Sequence, residues 1–345
     1  MEDCKKVKLT EKEWRFIQFA ESSFSLREIS EKSDLPYTTV YRIYSRLKNR
    51  ADFRFVPDYK KMNLVNMILL FNGYAEIEKV HSFTLSIRKI YGSKTYIMVS
   101  SLLPYNFIKR YIDTFGYEPI VTVIGNEFKV WRSNSGFSFY LNENKTIIPV
   151  FNIFAENHKE LYKEVDASDY SDRSPDYIDL AIIMRKRNHP FEPILKGIRW
   201  IRKNDHSFPI LSKQLLSYHY NNHVKNYWLH NSVLLLNDYK TVPFRVFYFE
   251  GRDAPIVARI LVNIPSFYTA LIDHNKSLVI GQPQGYMFEN IYRIVSMYDI
   301  DMPLGDLILS MESMGRYIPK LWHFVEKNRW VWREEMIKVI NKYVR

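Results

Sequence analysis

The sequence predicts an α+β chain made of two copies of one unit, a three-helix bundle followed by a small sheet with covering helices. Three observations predict it. The apolar period switches from helical to alternating after about residue 62, and switches again after about residue 240. The order of about seven elements in the first half returns in the second. Asp58-Tyr59-Lys60 precedes the first sheet strand of one half, and Asp238-Tyr239-Lys240 precedes that of the other.

The elements follow in order. Thr10 to Glu21 reads as a helix, with Thr10 as N-cap and Glu13 three residues on, and with Trp14, Ile17 and Phe19 apolar. Phe24-Ser25-Leu26 opens a second helix that runs to about Ser33. Pro36 suits the first turn of a third, Tyr37 to about Arg50, which places Val40, Tyr44 and Leu47 on one face. Three short helices with a tight turn before the last form a helix-turn-helix, and Phe53 to Tyr59 can supply its wing. Next come a strand at Met67 to Tyr74, an amphipathic helix at Ala75 to Ile90, a strand at Lys94 to Ser101, a helix at Pro104 to Phe115 and further strand from Ile120 to Trp131. That order suggests a ferredoxin-like βαββαβ domain. A hairpin is expected at Phe137 to Leu141 and Thr146 to Val150.

The second copy begins with helices at Asp176 to Arg187, Phe191 to Lys203 and Leu211 to about Lys225. In the third of these, Leu216, Tyr220 and Val224 point inward. Tyr227 to Leu236 can form the second wing. A strand at Pro243 to Glu250, a helix at Asp253 to Ile264, a hairpin over Tyr268 to Ile280, a helix at Tyr286 to Tyr298 and a strand at Gly305 to Met311 complete the repeat. Trp322 to Val344 reads as one long helix. The expected domains are therefore a winged helix-turn-helix at 1–62, a ferredoxin-like domain at 63–156 and a linker at 157–174. A second winged helix-turn-helix at 175–240, a second ferredoxin-like domain at 241–318 and a C-terminal helix at 319–345 follow.

This order resembles the leucine-responsive regulator family (Lrp/AsnC, feast/famine regulators), doubled in tandem, from about Leu9 to Trp131 and from about Asp176 to Met311. The run Ser217-Tyr218-His219-Tyr220-Asn221-Asn222-His223-Val224 is similar to recognition helices of crenarchaeal members. The resemblance implies an archaeal transcription factor that dimerises through its α/β domains and reads short palindromes, often with an amino-acid effector. The family's Gly-Asp pair near the effector site is not kept. Gly92 is followed by Ser93 and Lys94, and the second half offers Asn275-Lys276.

Charge points the same way. The chain carries a formal net charge of +11, which suits a polyanionic partner such as double-stranded DNA. From Pro36 to Lys61 there are seven basic and two acidic residues. With Val40, Tyr44 and Leu47 inward, the third helix offers Tyr37, Thr38, Thr39, Tyr41, Arg42, Ser45 and Arg46 to a major groove. Arg46, Lys48, Arg50 and Arg54 lie towards the phosphates, with Arg46 as the anchor. Arg42 can pair bidentately with guanine. The matching helix offers Lys213, Gln214, Ser217, Tyr218, Asn221 and Lys225, with Gln214 or Asn221 suited to adenine. A solvated helix used for protein contacts, or a second copy kept for packing, would leave the same pattern.

Other classes find little in the residues. There is no GxGxxG, Walker loop or GxSxG, and Cys4 is the lone cysteine, so no cofactor and no catalytic residue are expected and the chain is not read as an enzyme. His219 and His223 share a helix face at i, i+4, yet no HExxH surrounds them and no third ligand is evident, so no metal site is expected. The longest apolar stretches, such as Leu64 to Phe71, are too short for a bilayer, and the polar start is unlike a signal peptide. The expectation is a cytoplasmic, nucleoid-associated regulator that forms an intrachain pseudo-dimer. A homodimer through the aromatic C-terminal helix and a small-molecule effector stay open. An architectural DNA-binding protein of weak specificity, or a winged-helix sensing module without DNA binding, fits the same residues.

Overall fold

The computed structural model describes residues 8–151, 159–166 and 170–339. Three helices open the chain: α1 (Glu11–Ala20), α2 (Leu26–Ser33) and α3 (Tyr37–Leu47). Their ends are set locally. The Thr10 backbone N–H donates to Glu13 Oε2 at 2.7 Å while the Glu13 N–H donates to the Thr10 hydroxyl at 3.3 Å, a complete capping box. Ser25 caps α2, Asp34 ends it in the left-handed region at φ 51°, and Pro36 starts α3. Phe16, Ile17, Ile29, Val40, Ile43 and Leu47 meet in one core. Tyr44, expected on the buried face, is half-buried, and Ile43 takes the inner position beside Val40.

The second three-helix unit repeats this plan with α5 (Tyr177–Lys186), α6 (Ile194–Asn204) and α7 (Lys213–His219). Asp176 and Ser212 cap α5 and α7. Helix α7 widens into a π-helical turn at Tyr220–Val224 and finishes as the short α8 (Lys225–Tyr227). Strand β1 (Ala51–Pro57) follows the first unit and β10 (Trp228–Leu235) the second. The two strands pair with each other, antiparallel, with Phe53 opposite Val233. Each was expected to serve its own unit as a wing. Their pairing with each other buries Phe53, Val56, Val233 and Leu234 in the core of the first unit, where Phe191 of the second unit joins them. Alternation shows that a segment is a strand but not which strand it meets.

The remaining strands build one antiparallel sheet. The first half supplies β2 (Leu64–Asn72), β4 (Thr84–Tyr91), β5 (Thr95–Pro104), β6 (Val121–Gly125) and β7 (Glu127–Val130), with α4 (Ile108–Asp113) before β6. The second half supplies β11 (Arg245–Glu250), α9 (Ala254–Asn263), β12 (Phe267–Ile272), β13 (Lys276–Gly281), α10 (Phe288–Val295) and β14 (Leu307–Arg316). The strand order is β6-β2-β5-β4-β14-β11-β13-β12-β7. Each half therefore runs fourth-first-third-second, and the halves join where β14 meets β4. Strands β6 and β7 lie at opposite ends of this order yet only Asn126 separates them in sequence, so the sheet closes on itself. A Cβ on Gly125 at that corner would stand 2.8 Å from the Asn66 carbonyl oxygen, which explains the glycine. Residues of both halves, among them Ile68, Leu70, Met98, Tyr248, Leu271 and Leu278, fill one core between the sheet faces. Helices α9 and α10 cover the outer face of the second half through Phe247, Phe249, Ile260 and Ile291. A separate hairpin, β8 (Ser138–Leu141) with β9 (Thr146–Pro149), forms where expected.

Two expected helices are absent. Ala75 to Ile90 forms β3 (Lys79–His81) and β4. Thr84, Ser86, Ile87 and Ile90 are buried there, and the apolar residues that mimic a helical stripe are spread along pleated strands. Trp322 to Val344, as far as Val339 where the described residues end, forms a 3₁₀ turn at Leu321–Phe324, the hairpin β15 (Val325–Glu326) and β16 (Arg329–Trp330), a further turn and β17 (Ile337–Val339). Lys327 and Asn328 connect the hairpin with φ of 49° and 57°, the paired positive angles of a tight two-residue turn. Strand β17 pairs with β3, and Trp332 and Phe324 pack on His81, so this segment covers the first half where a helix was expected. The expected linker 157–174 lies partly outside the described residues. Its described part holds a 3₁₀ turn at Lys159–Tyr162. Among the described residues no helix is long and apolar enough to cross a membrane.

Candidate nucleic-acid interface

Once Val40, Ile43 and Leu47 are buried, α3 turns a continuous face outward. Tyr37 and Tyr41 are 51% and 54% exposed, and Thr38, Arg42 and Ser45 are exposed with them, while Thr39 is half-buried. No acidic residue lies on the helix. Arg42 makes no ion pair among the described residues and is free to meet an anion. The other arginines of this region are engaged. Arg46 Nε lies 3.0 Å from Glu13 Oε1, a contact of ions rather than an aligned hydrogen bond. Arg50 donates to the Lys8 carbonyl at 2.9 Å. Arg54 pairs with Asp52 and donates to Asn188 Oδ1 at 3.2 Å. Lys48 is exposed.

On α7, Lys213, Gln214, Ser217, Tyr218 and Asn221 are exposed. Asn221 donates to the Ser217 hydroxyl at 3.2 Å. Lys225 is half-buried, its ammonium 5.1 Å from the Phe24 ring and 5.5 Å from that of Tyr220. It ties the second unit to the first through cation–π contacts.

Behind the α7 face lies a polar cluster that sequence reading missed. Asp179 on α5 is 3% exposed among Ile178, Leu180, Ile182 and Ile183. His219 Nδ1 is 2.8 Å from Asp179 Oδ1, and His223 Nδ1 is 3.1 Å from Asp179 Oδ2. Burial holds the Asp179 carboxyl above the usual carboxylate range, against the pull of the two histidine hydrogen bonds. The signal in the sequence was a lone carboxylate inside an apolar helical run, a position rarely filled without a partner. Asp179 is the third group that the pair His219 and His223 lacked.

The two units are joined at the shared ribbon. Asn231 on β10 is 2% exposed and donates to the carbonyls of Ala20 at 3.0 Å and Ser23 at 2.6 Å. Glu21, also buried, accepts from the Ser133 backbone and from Asn134. Near this joint a cavity of about 780 Å³ is lined by both halves, including Lys60, Lys129, Arg132, Lys163, His230 and Arg259. Arg259 is committed to its wall, pairing with Glu127 and donating to the Leu161 and Lys163 carbonyls.

No family model matches the chain, and no curated protein matches it. Two solved structures align along most of its length. The siroheme decarboxylase NirDL is 6% identical, with a TM-score of 0.43 over 89% of this chain and 93% of its own. The same enzyme in co-complex with an iron-uroporphyrin III analogue is 7% identical, with a TM-score of 0.44 over 90% and 94%. These findings correct two expectations. Membership of the leucine-responsive regulator family does not stand, because no family model supports it and the chains that align are decarboxylases. Nor does the expectation that the chain is not an enzyme stand, because both aligned chains are enzymes. The fold is mixed α/β with antiparallel sheets.

Proposed function

We propose that the chain is a sequence-specific double-stranded-DNA-binding transcription regulator, located with the DNA it reads. On this reading each three-helix unit with its following strand is a winged helix-turn-helix, and each is followed by a ferredoxin-like half of the closed sheet. The observation that carries the reading is the outward face of α3, where Tyr37, Thr38, Tyr41, Arg42 and Ser45 stand clear of the core. A helix of this width fits a major groove, and an unpaired guanidinium can read guanine O6 and N7. Arg46 is spoken for by Glu13, so the reading rests on Arg42 with Lys48 towards the backbone. The two units form a pseudo-dimer within one chain, held by the β1–β10 ribbon.

The test is fluorescence anisotropy on duplexes selected from random DNA by the full chain, across a series of salt concentrations. Affinity should fall steeply with salt, with a slope of about one unit for each phosphate contact. Arg42→Ala should cost about 1–3 kcal/mol on the selected site and relax one base position. Affinity that is flat in salt rejects DNA binding. Equal loss for Arg42→Ala on selected and random duplexes removes Arg42 from base reading and favours an architectural, weakly specific binder.

A further inference from the structure

We propose that Asp179, His219 and His223 form a binding site for a divalent transition-metal ion of the zinc class, clamping α7 to α5. One carboxylate oxygen and one ring nitrogen from each histidine lie within 4.8 Å of one another. The two closest separations are the hydrogen bonds at 2.8 Å and 3.1 Å. Ligand atoms at about 2.0–2.1 Å from a tetrahedral ion stand roughly 3.3 Å apart. The two hydrogen-bonded pairs, which use different oxygens of Asp179, would spread by a few tenths of an ångström, and the widest pair of the set, at no more than 4.8 Å, would close by up to about 1.5 Å through rotation of the rings. On entry, each ring takes the tautomer with its proton on Nε2, by exchange with water, and the Nδ1 lone pair turns to the ion. Asp179 contributes one negative charge, so the bound ion keeps a net charge of one plus.

The donor set selects the metal. Two imidazoles with a carboxylate suit zinc, cobalt, nickel or copper, whereas magnesium and calcium prefer oxygen alone. The surroundings also fit. Asp179 and His219 are buried, and the His223 side chain is 37% exposed, which leaves an entry path and an open coordination position on that side. Asp176 Oδ1 lies 3.9 Å from His219 Nδ1, close enough to orient the ligands or a bound water. The helix departs from α-geometry at Tyr220–Val224, starting one residue after His219 and containing His223, and single π-helical turns of this kind recur at functional sites. The site stands whether or not the outer face of α7 meets DNA.

The experiment uses the full chain, stripped with chelator and dialysed, then titrated with Zn²⁺ by calorimetry and with Co²⁺ by visible absorption. One equivalent of Zn²⁺ should bind, and Co²⁺ should give the ligand-field bands of a low-coordinate nitrogen and oxygen site. Hydrogen exchange should slow across 213–227 when Zn²⁺ is added. His223→Gln, at the more exposed ligand, and Asp179→Asn, which keeps the side-chain shape, should each weaken binding at least as much as loss of an outer-shell partner does, about 10- to 100-fold. Circular dichroism of each variant without metal reports whether it folds. Absence of stoichiometric binding overturns the proposal and leaves a hydrogen-bonded histidine–aspartate cluster. Binding that persists unchanged in both folded variants also overturns it, by placing the ion elsewhere.

Discussion

Asn231 offers a direct test of how the two helical units are held. Its side-chain amide reaches from β10 in the second unit to the C-terminal end of α1 in the first. Ala20 and Ser23, whose carbonyls it serves, are both fully buried. Asn231→Ala removes both donors and also the acceptor for the Trp228 indole N–H at 3.1 Å. The Ala20 carbonyl keeps a longer bond from the Ser23 N–H at 3.4 Å, so its loss is partial, while the Asn231 backbone N–H to the Glu21 carbonyl is untouched. An unsatisfied buried carbonyl costs about 1–3 kcal/mol. One full and one partial loss thus amount to about 2–4 kcal/mol, or roughly a 30- to 1000-fold rise in local opening. Hydrogen exchange at residues 11–33, measured against exchange in β11–β13, reads that rise directly. Asn231→Asp should be worse than the alanine variant, because a carboxylate would face two carbonyl oxygens. A change below about 0.5 kcal/mol for Asn231→Ala would refute the claim that this amide holds the units together.

Two further outcomes follow from the packing. His81 is stacked 4.2 Å from Trp332, and its Nδ1 accepts from the Phe83 N–H while its Nε2 donates to the Arg333 carbonyl. Burial pushes it down to about 4, so below pH 6.5 the unfolded chain binds a proton that the folded chain refuses. Stability should fall as pH drops from 6.5 to about 4, by at most about 1.4 kcal/mol per pH unit for this site, and His81→Phe should flatten the urea-midpoint profile over that window. A profile unaltered by His81→Phe would contradict this. Leu278→Ala, at a fully buried position between the sheet faces, should cost about 2–5 kcal/mol and shift the unfolding of both halves together. Separate transitions, with only the second half shifted, would show that the closed sheet does not couple them.

What could be read from the sequence was whatever is decided within a few residues. The capping box of Thr10 and Glu13, the Ser25 cap, the Pro36 start and the Asp176 cap fix helix ends without reference to the rest of the chain. Strand partners were not legible, since Phe53 meets Val233 across the whole first sheet domain. Nor was the C-terminal segment. Its tryptophans and phenylalanine suit an apolar helical face, but Trp322 Nε1 donates to buried Asp205 at 2.8 Å and Trp332 stacks on His81. These contacts reward an extended path over a helical one. The interface residues were legible as types but not as free or engaged. Nothing local to Arg46 announces that Glu13, already used in the cap of α1, takes its charge. Asp179 belongs to the same class, because its partners come from 40 and 44 residues away.

Carrying two like units in one chain changes what each is required to do. In a symmetric dimer every substitution on the third helix appears twice, so a residue that reads DNA in one copy must be tolerated in the other. Here the covalent link and the shared β1–β10 ribbon fix the pair without that constraint. The two third helices differ accordingly. The outer face of α3 carries Arg42 beside the exposed Tyr37 and Tyr41, while the α7 segment presents Gln214, Ser217 and Asn221, and Lys225 is turned back onto Phe24 of the first unit. The inner side of α7 holds the histidine–aspartate cluster, whereas the inner side of α3 is Val40, Ile43 and Leu47. On the reading proposed above, the preferred DNA is asymmetric, with one half-site contacted by an arginine and the other by amides. The half-sites should lie about one helical turn apart, since the ribbon sets the spacing of the units and linkage makes the second contact intramolecular. Any signal that acts on α7 through Asp179, His219 and His223 would then adjust one half-site and leave the other untouched, a control that a symmetric pair of identical chains does not possess.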